Sequence, residues 1–237
     1  MPIPHLLQAQ STRLGGVSPL PFQSLNLGFH TADEAENVNE NRRRFFQSIG
    51  APPDQLAESH QVHGKEVYHA QAPIRTEGYD ALITRTPGLI LGVSVADCCP
   101  VLVYDPQQQA VAAIHAGWRG TAQEIVKHTL ARMEAEFGTQ PSHCHAYIGT
   151  CISQAHYEVD GKVADQFAEA YKTARATPGK WLLDIKAANQ GQLTEMGLAT
   201  ENITVSPHCT WADNDRFFSH RKEKGQTGRM MAVIGLV

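Results

Sequence analysis

Three stretches lie close together in the chain: "LILGVSVA" (89–96), "PVLVYD" (100–105) and "AVAAIH" (110–115). They are almost unbroken runs of apolar residues. Successive side chains of a strand point to opposite faces, so a strand without polar alternation has both faces out of water. A sheet built from such strands needs a covering layer on each side, which predicts a layered α and β architecture. Further short strand candidates are "EVYHA" (66–70), "DALIT" (80–84) and "HAYIG" (145–149), with "ITVSPHCT" and "RMMAVIGLV" near the end of the chain. Strands and helices mix without strict alternation. The expectation is one α+β domain over residues 1–237, with a mixed sheet or two packed sheets.

The helices carry their own punctuation. "TADEAENVNENRRRFFQSIG" reads as a helix with Thr31 and Glu34 as a capping box, an apolar stripe of Val38, Phe45 and Ile49, and Gly50 as the stop. "TAQEIVKHTLARMEAEFG" repeats the pattern with Thr121 and Glu124, the stripe Ile125, Val126, Leu130, Met133 and Phe137, and Gly138. Two more helices are expected near 161–175 and 184–197.

Composition removes several classes of function. The 237 residues carry a net charge of −4, with 42% hydrophobic and 19% charged residues. That balance suits a folded globular chain. Basic residues are scattered apart from Arg42-Arg43-Arg44 and the 216–224 stretch, which argues against a nucleic-acid surface. The start "MPIPHLLQAQ" lacks a cationic segment leading into an apolar core, and no run approaches a membrane span, so a cytoplasmic location is expected. Five cysteines, two of them adjacent at Cys98 and Cys99, do not read as a disulfide framework.

Three strand-end loops concentrate reactive groups. "HAGWRGT" brings His115 to the tip of a buried strand and turns at Gly117 and Gly120 into a helix start beside Arg119. Free N–H groups and the positive end of the helix dipole make that corner a candidate anion site, with Trp118 either stacking on a ligand or plugging the core. "SVADCCPVLVYD" places Asp97, Cys98 and Cys99 at a break between strands, and "ESHQVHGKEV" places His60 and His63 before a turn at Gly64. Imidazole, thiolate and imidazole form a plausible three-ligand zinc site with an open fourth position, while the long spacing argues against a zinc finger.

The motifs "NLGFHTAD…NENRRRFF", "HQVHG", "DALIT", "VADCCPVLVYDP", "AAIHAGWRGT", "IGTCI…YEV" and "CT…FFSHRK…TGRMMAVI" together resemble the bacterial purine nucleoside phosphorylase family. That family was formerly described as laccase-like polyphenol oxidase and includes the peptidoglycan editing factor. The resemblance covers nearly the whole chain. It implies a four-layer α/β/β/α sandwich and a zinc held by His63, Cys98 and His115. It implies phosphorolysis of adenosine, inosine and methylthioadenosine, adenosine deamination, and in some members phenol oxidation with copper or editing of a cell-wall precursor. Expected partners are nucleosides and phosphate, with the chain a monomer or homodimer.

By the same resemblance Cys98, His115 and Arg42 are expected to be catalytic, while Asn26 and His30 lie on a substrate-side loop. An exposed helix arginine is the alternative for Arg42. Gly117, Arg119 and Gly120 are expected to receive phosphate, as the corner's own chemistry suggests. The chain departs from the family at "IGTCIS" and "SHRK", but Gly149, Cys151, Tyr157 and Glu158 remain. A proton donor is not assigned, because the H-x-E…P-C-x-x-C frame of zinc deaminases is missing.

Other classes also fit parts of the pattern. Cys98 as nucleophile with His115 as base and Asp97 or another acid as orienter would make a cysteine hydrolase. A multicopper oxidase needs repeated HxH pairs, and His143-Cys144-His145 alone has that form. A metal-stabilised binding domain would close the coordination with His60 or Cys99.

Overall fold

The structure, a computed structural model, describes residues 5–237. In chain order its elements are β1 (Leu6–Gln10), α1 (Ala35–Ser48), β2 (Leu56–His60), β3 (Val67–His69), β4 (Ile74–Glu77), β5 (Ala81–Thr84), β6 (Ile90–Val95), β7 (Cys99–Asp105) and β8 (Ala110–Ala116). They continue with α2 (Trp118–Ala122), α3 (Ile125–Phe137), β9 (His145–Ile148), β10 (Glu158–Asp160), α4 (Gly161–Ala164), β11 (Lys172–Ala174), β12 (Lys180–Leu183), α5 (Ile185–Glu195), β13 (Ile203–Val205) and β14 (Met230–Leu236). A five-stranded mixed sheet has the order β1-β14-β6-β2-β4, and a six-stranded mixed sheet has the order β13-β9-β7-β8-β5-β3. A small antiparallel sheet, β10-β12-β11, stands beside them.

Strand parity explains the layers. On β7, Val101 and Val103 face a core shared with α3 and α5, while Leu102 and Tyr104 face the other sheet. On β8, Ala112 and Ile114 take the helix side, and Val111 and Ala113 the inter-sheet side. On β14, Ala232 and Ile234 join the inter-sheet core, whereas Met231 and Val233 pack with Phe45 and Phe46 of α1. The result is the expected α/β/β/α sandwich. Each fully buried Val, Leu or Ile contributes roughly 1.5–3 kcal/mol of transfer free energy, so both faces of these strands hold the fold.

Both capping boxes fail, for a physical reason. Thr31 is committed elsewhere: its hydroxyl donates to the Gly28 carbonyl and accepts from Asn26 Nδ2, each at 2.9 Å. Helix α1 therefore begins after Glu34, which makes no side-chain cap. The second helix is two helices, because Glu124 adopts a left-handed backbone (φ 61°) between α2 and α3. The orphan N–H of Val126 is met instead by Gln192 of α5, whose Oε1 accepts it at 3.2 Å while Nε2 donates to the Thr121 carbonyl.

Two other expectations change in detail. The helix expected over 161–175 is reduced to α4, and the chain then extends into β11, which pairs with β12. The 203–210 stretch is strand over Ile203–Val205, followed by an isolated bridge from Cys209 to Cys151. Helix α5 starts as expected at Asp184, whose carboxylate accepts from the Ala187 N–H at 3.0 Å. Strands β1, β2 and β4 were not legible in the apolar pattern. Among the described residues no helix is long and apolar enough to cross a membrane.

Candidate metal centre and its cavity

His115 follows Val111 and Ala113 on β8, so parity turns it to the inter-sheet side where the two sheets end. Cys98 sits just before β7, after a turn in which Asp97 takes φ 83°. His63 comes from the loop after β2, itself at φ 61°. The ligand atoms of His63, Cys98 and His115 lie within 4.8 Å of one another. Cys98 Sγ is 3.9 Å from His63 Nε2, and the two imidazoles meet edge to face at 4.8 Å.

Asp80 organises two of these three groups at once. Its Oδ1 lies 2.7 Å from His115 Nδ1, fixing the ring so that Nε2 faces the other two donors. The same oxygen accepts from the His63 N–H at 2.9 Å, while Oδ2 accepts from Val62 and Gly64 N–H at 3.0 and 2.8 Å. Its backbone carbonyl accepts the His115 N–H at 2.7 Å. A carboxylate behind a histidine ligand holds the tautomer and raises ligand basicity. The residue opens "DALIT", yet its partners are too distant in sequence for spacing to reveal them.

The electrostatics favour ligand forms. Burial pushes the Cys98 thiol up, but the charge and hydrogen bond of His115 and the contact with His63 outweigh it, and the thiol falls to about 6. Burial likewise opposes charge on His115, yet Cys98 and Asp80 raise it to about 9. Without metal, the pair is a thiolate beside an imidazolium. Burial opposes ionisation of Asp80 too, and its hydrogen bond and charge contact with His115 carry its carboxyl below the usual range.

The glycines of "HAGWRGT" act through close approach. A Cβ on Gly117 would lie 3.1 Å from both Cys98 Sγ and His63 Cδ2, and one on Gly120 would meet the Gly64 carbonyl at 2.8 Å. Helix α2 has five residues, too few for its dipole to draw an anion, and Gly120 is buried. Arg119 is exposed, with its guanidinium 4.5 Å over the Trp118 ring, and both side chains line the cavity described next.

A cavity of about 460 Å³ opens over the three donors. On one side its wall is a rim of Phe29, His30, Arg42, Glu58, His60 and Arg75. Arg42 grips Glu58 with two 2.8 Å bonds and donates to the Leu27 carbonyl, so its guanidinium is part of that wall. The guanidinium groups of Arg42 and Arg75 lie over the Phe29 ring, at 4.3 and 4.6 Å from its centroid. His30 packs on His60 with ring centroids 3.9 Å apart. On the metal side the cavity meets Tyr157, His220, Arg221 and Arg229. Asn26 is fully buried and does not line the cavity; it ties the loop together through Asp33, Thr31 and the N–H groups of Gly28 and Arg229. Glu58, Arg75, His220 and Arg229 escaped the sequence reading, although "TGR" lay within a motif it used.

The donor set fits a metal ion: one thiolate, two imidazoles, a carboxylate behind one of them, and a cavity at the open side. The closed-site alternative does not form. His60 is engaged with His30, and Cys99, next along β7, is turned into the core under the helices. Asp97 does not orient His115, because its carboxylate accepts from the Thr210 hydroxyl and the Arg221 N–H. Among the described residues this is one three-donor group, and His143, Cys144 and His145 add no second.

Residues 7–237 match the family model described as multi-copper polyphenol oxidoreductase laccase. A protein of Deinococcus radiodurans named purine nucleoside phosphorylase is 42% identical, over 99% of this chain and 89% of its own length. The Escherichia coli purine nucleoside phosphorylase YfiH is 37% identical, over 96% and 92%. The crystal structure of YlmD from Geobacillus stearothermophilus superposes with a TM-score of 0.93 at 32% identity, covering 98% of this chain and 92% of that one. The chain therefore belongs to the laccase-like polyphenol oxidoreductase family, among relatives that carry the name purine nucleoside phosphorylase.

Proposed function

We propose that this chain is a zinc-dependent purine nucleoside phosphorylase acting on adenosine, inosine and methylthioadenosine, with adenosine deamination as a second reaction. The observation that carries the reading is the three-donor group at the open floor of a cavity whose metal side is cationic. His63, Cys98 and His115 would hold the metal, and zinc bound there would supply Lewis acidity. Asp80 keeps His115 Nε2 aimed at the site, and the sandwich core behind it excludes water. In phosphorolysis a phosphate oxygen bonds to C1′ of the ribose while the C1′–N9 bond breaks towards the purine. The cationic side chains would place that phosphate. Trp118, with the Arg119 guanidinium over its ring, would bound the base, and the rim of His30, Phe29 and the Arg42–Glu58 pair would bound the sugar.

Zinc-loaded protein given inosine and phosphate should yield hypoxanthine and ribose 1-phosphate, with no cleavage when phosphate is omitted. Chelation should stop the reaction, and restoring zinc should recover it. A second reading is favoured by one observation, the Asp80–His115 contact beside the Cys98 thiolate, which is also the arrangement of a cysteine hydrolase. Full activity after chelation would select it. Phenol oxidation after copper loading tests the activity in the family's description.

A further inference from the structure

Arg229 is firmly anchored at the cavity and, among the described residues, has no carboxylate counter-ion. Its N–H donates to Asn26 Oδ1 at 2.8 Å, and its carbonyl accepts from the Leu27 N–H at 2.9 Å. Its Nη1 donates to the Thr227 and Gly228 carbonyls at 2.9 and 3.0 Å. Gly28 leaves room for the stem, since a Cβ there would lie 2.6 Å from Arg229 Cγ. These contacts leave Nε and Nη2 without protein acceptors, on a side chain that lines the cavity.

The surrounding charges do not neutralise it. Arg42 and Arg75 face Glu58 across the rim, but among the described residues no carboxylate pairs with Arg229. Asp97, the nearby acid, already accepts from Thr210 and Arg221. The Cys98 charge would be taken up by a bound metal. Burial lowers the pKa of Arg229, although the fields of Cys98 and Asp97 oppose that shift. A largely buried guanidinium held so firmly without a counter-ion is a cost to folding that an anionic ligand would relieve.

We infer that Arg229 anchors the phosphate co-substrate, presenting Nε and Nη2 to a tetrahedral oxyanion beside the Cys98–His115 corner. The inference rests on the phosphorolytic reading and replaces Arg119 as the principal phosphate contact. Arg119 is solvent-exposed and stacked on Trp118, where water screens its charge. A guanidinium edge suits two parallel bonds to phosphate, which an ammonium cannot reproduce.

The test measures inorganic phosphate binding to zinc-loaded protein by calorimetry, and the KM for phosphate with inosine, in wild type, Arg229→Met, Arg229→Lys and Arg119→Ala. Loss of a charge-assisted pair should weaken phosphate binding about 10- to 100-fold in Arg229→Met, with a smaller loss in Arg229→Lys and the smallest in Arg119→Ala. If Arg229→Met fails to fold, Arg229→Lys, which keeps stem and charge, decides on the same order of losses against Arg119→Ala. Wild-type binding without phosphorolysis would remove the proposed function and leave the anion site standing. Undiminished phosphate binding in Arg229→Lys and Arg229→Met, or a larger loss in Arg119→Ala, would overturn the inference. So would Arg229-dependent binding of adenosine monophosphate without any binding of inorganic phosphate.

Discussion

The two walls of the cavity use the same side chain in opposite ways. At the rim, Arg42 and Arg75 both reach Glu58 and both lie over the Phe29 ring, so each guanidinium has a carboxylate beside it. Beside the metal donors, Arg229 is fixed by backbone carbonyls, and among the described residues no carboxylate answers it. The Arg42 guanidinium spends its donors on Glu58 and the Leu27 carbonyl, whereas Nε and Nη2 of Arg229 remain open to a ligand. The contrast also separates Arg42, which the sequence motif offered as catalytic, from Arg229, which it did not.

The largest change should follow from breaking the metal side at its sulfur. Cys98→Ala is expected to lose stoichiometric zinc and phosphorolysis together, while circular dichroism stays that of the folded chain. A sandwich with several buried clusters does not depend on one metal. Zinc retained at full occupancy would remove Cys98 from the ligand set.

Next comes Asp80→Asn, which keeps the shape but alters the partner of His115. Zinc affinity should fall by about 10- to 100-fold, the usual cost of losing a carboxylate behind a histidine ligand. Competition with a chromogenic chelator reads this directly, and Asp80→Glu should recover part of the loss. Unchanged affinity would reduce Asp80 to a loop anchor.

The pH dependence has a definite sign. With His115 raised to about 9 and Cys98 lowered to about 6, the metal-free pair carries one proton between those values, on the imidazole. Zinc must displace it, so log affinity should rise with pH by about one unit per pH unit in that window, and more steeply below it as the thiolate also protonates. Calorimetry in buffers of different ionisation enthalpy counts the released proton. Affinity flat from pH 6 to 9 would contradict the paired state.

The smallest effect is expected at the rim. Glu58→Gln leaves the Arg42 and Arg75 guanidinium groups without their shared carboxylate and should cost about 1–3 kcal/mol of unfolding free energy, for a partly buried pair. The phosphate KM should move far less than in Arg229→Met. A large loss of phosphate affinity in Glu58→Gln would erase the distinction between the walls.

What was legible in the sequence follows from the range of the interactions. Strands β6, β7 and β8 could be read because burial on both faces writes itself into consecutive residues. The three donors could be found because each lies at a strand end beside a glycine or proline. Asp80 could not, since it is joined to His115 by a contact that no local spacing records. The two capping boxes had the right residue types three apart, but Thr31 was already bound to Asn26 and Gly28, and Gln192 met the Val126 N–H from another helix. The 161–175 segment had helical apolar spacing at Val163 and Phe167, yet pairing of β11 with β12 prevailed after one turn. Arg229 looked like one more basic residue at a strand start, and its meaning depends on the missing carboxylate around it.

The central claim is an open metal centre with one sulfur and two nitrogens from the protein. X-ray absorption at the zinc edge tests it most directly on the loaded, wild-type protein. The account expects one sulfur at about 2.3 Å, two imidazole nitrogens at about 2.0–2.1 Å, and a further light atom that changes when phosphate and nucleoside are added. A shell of two sulfurs, or four protein ligands unaffected by substrate, would contradict it.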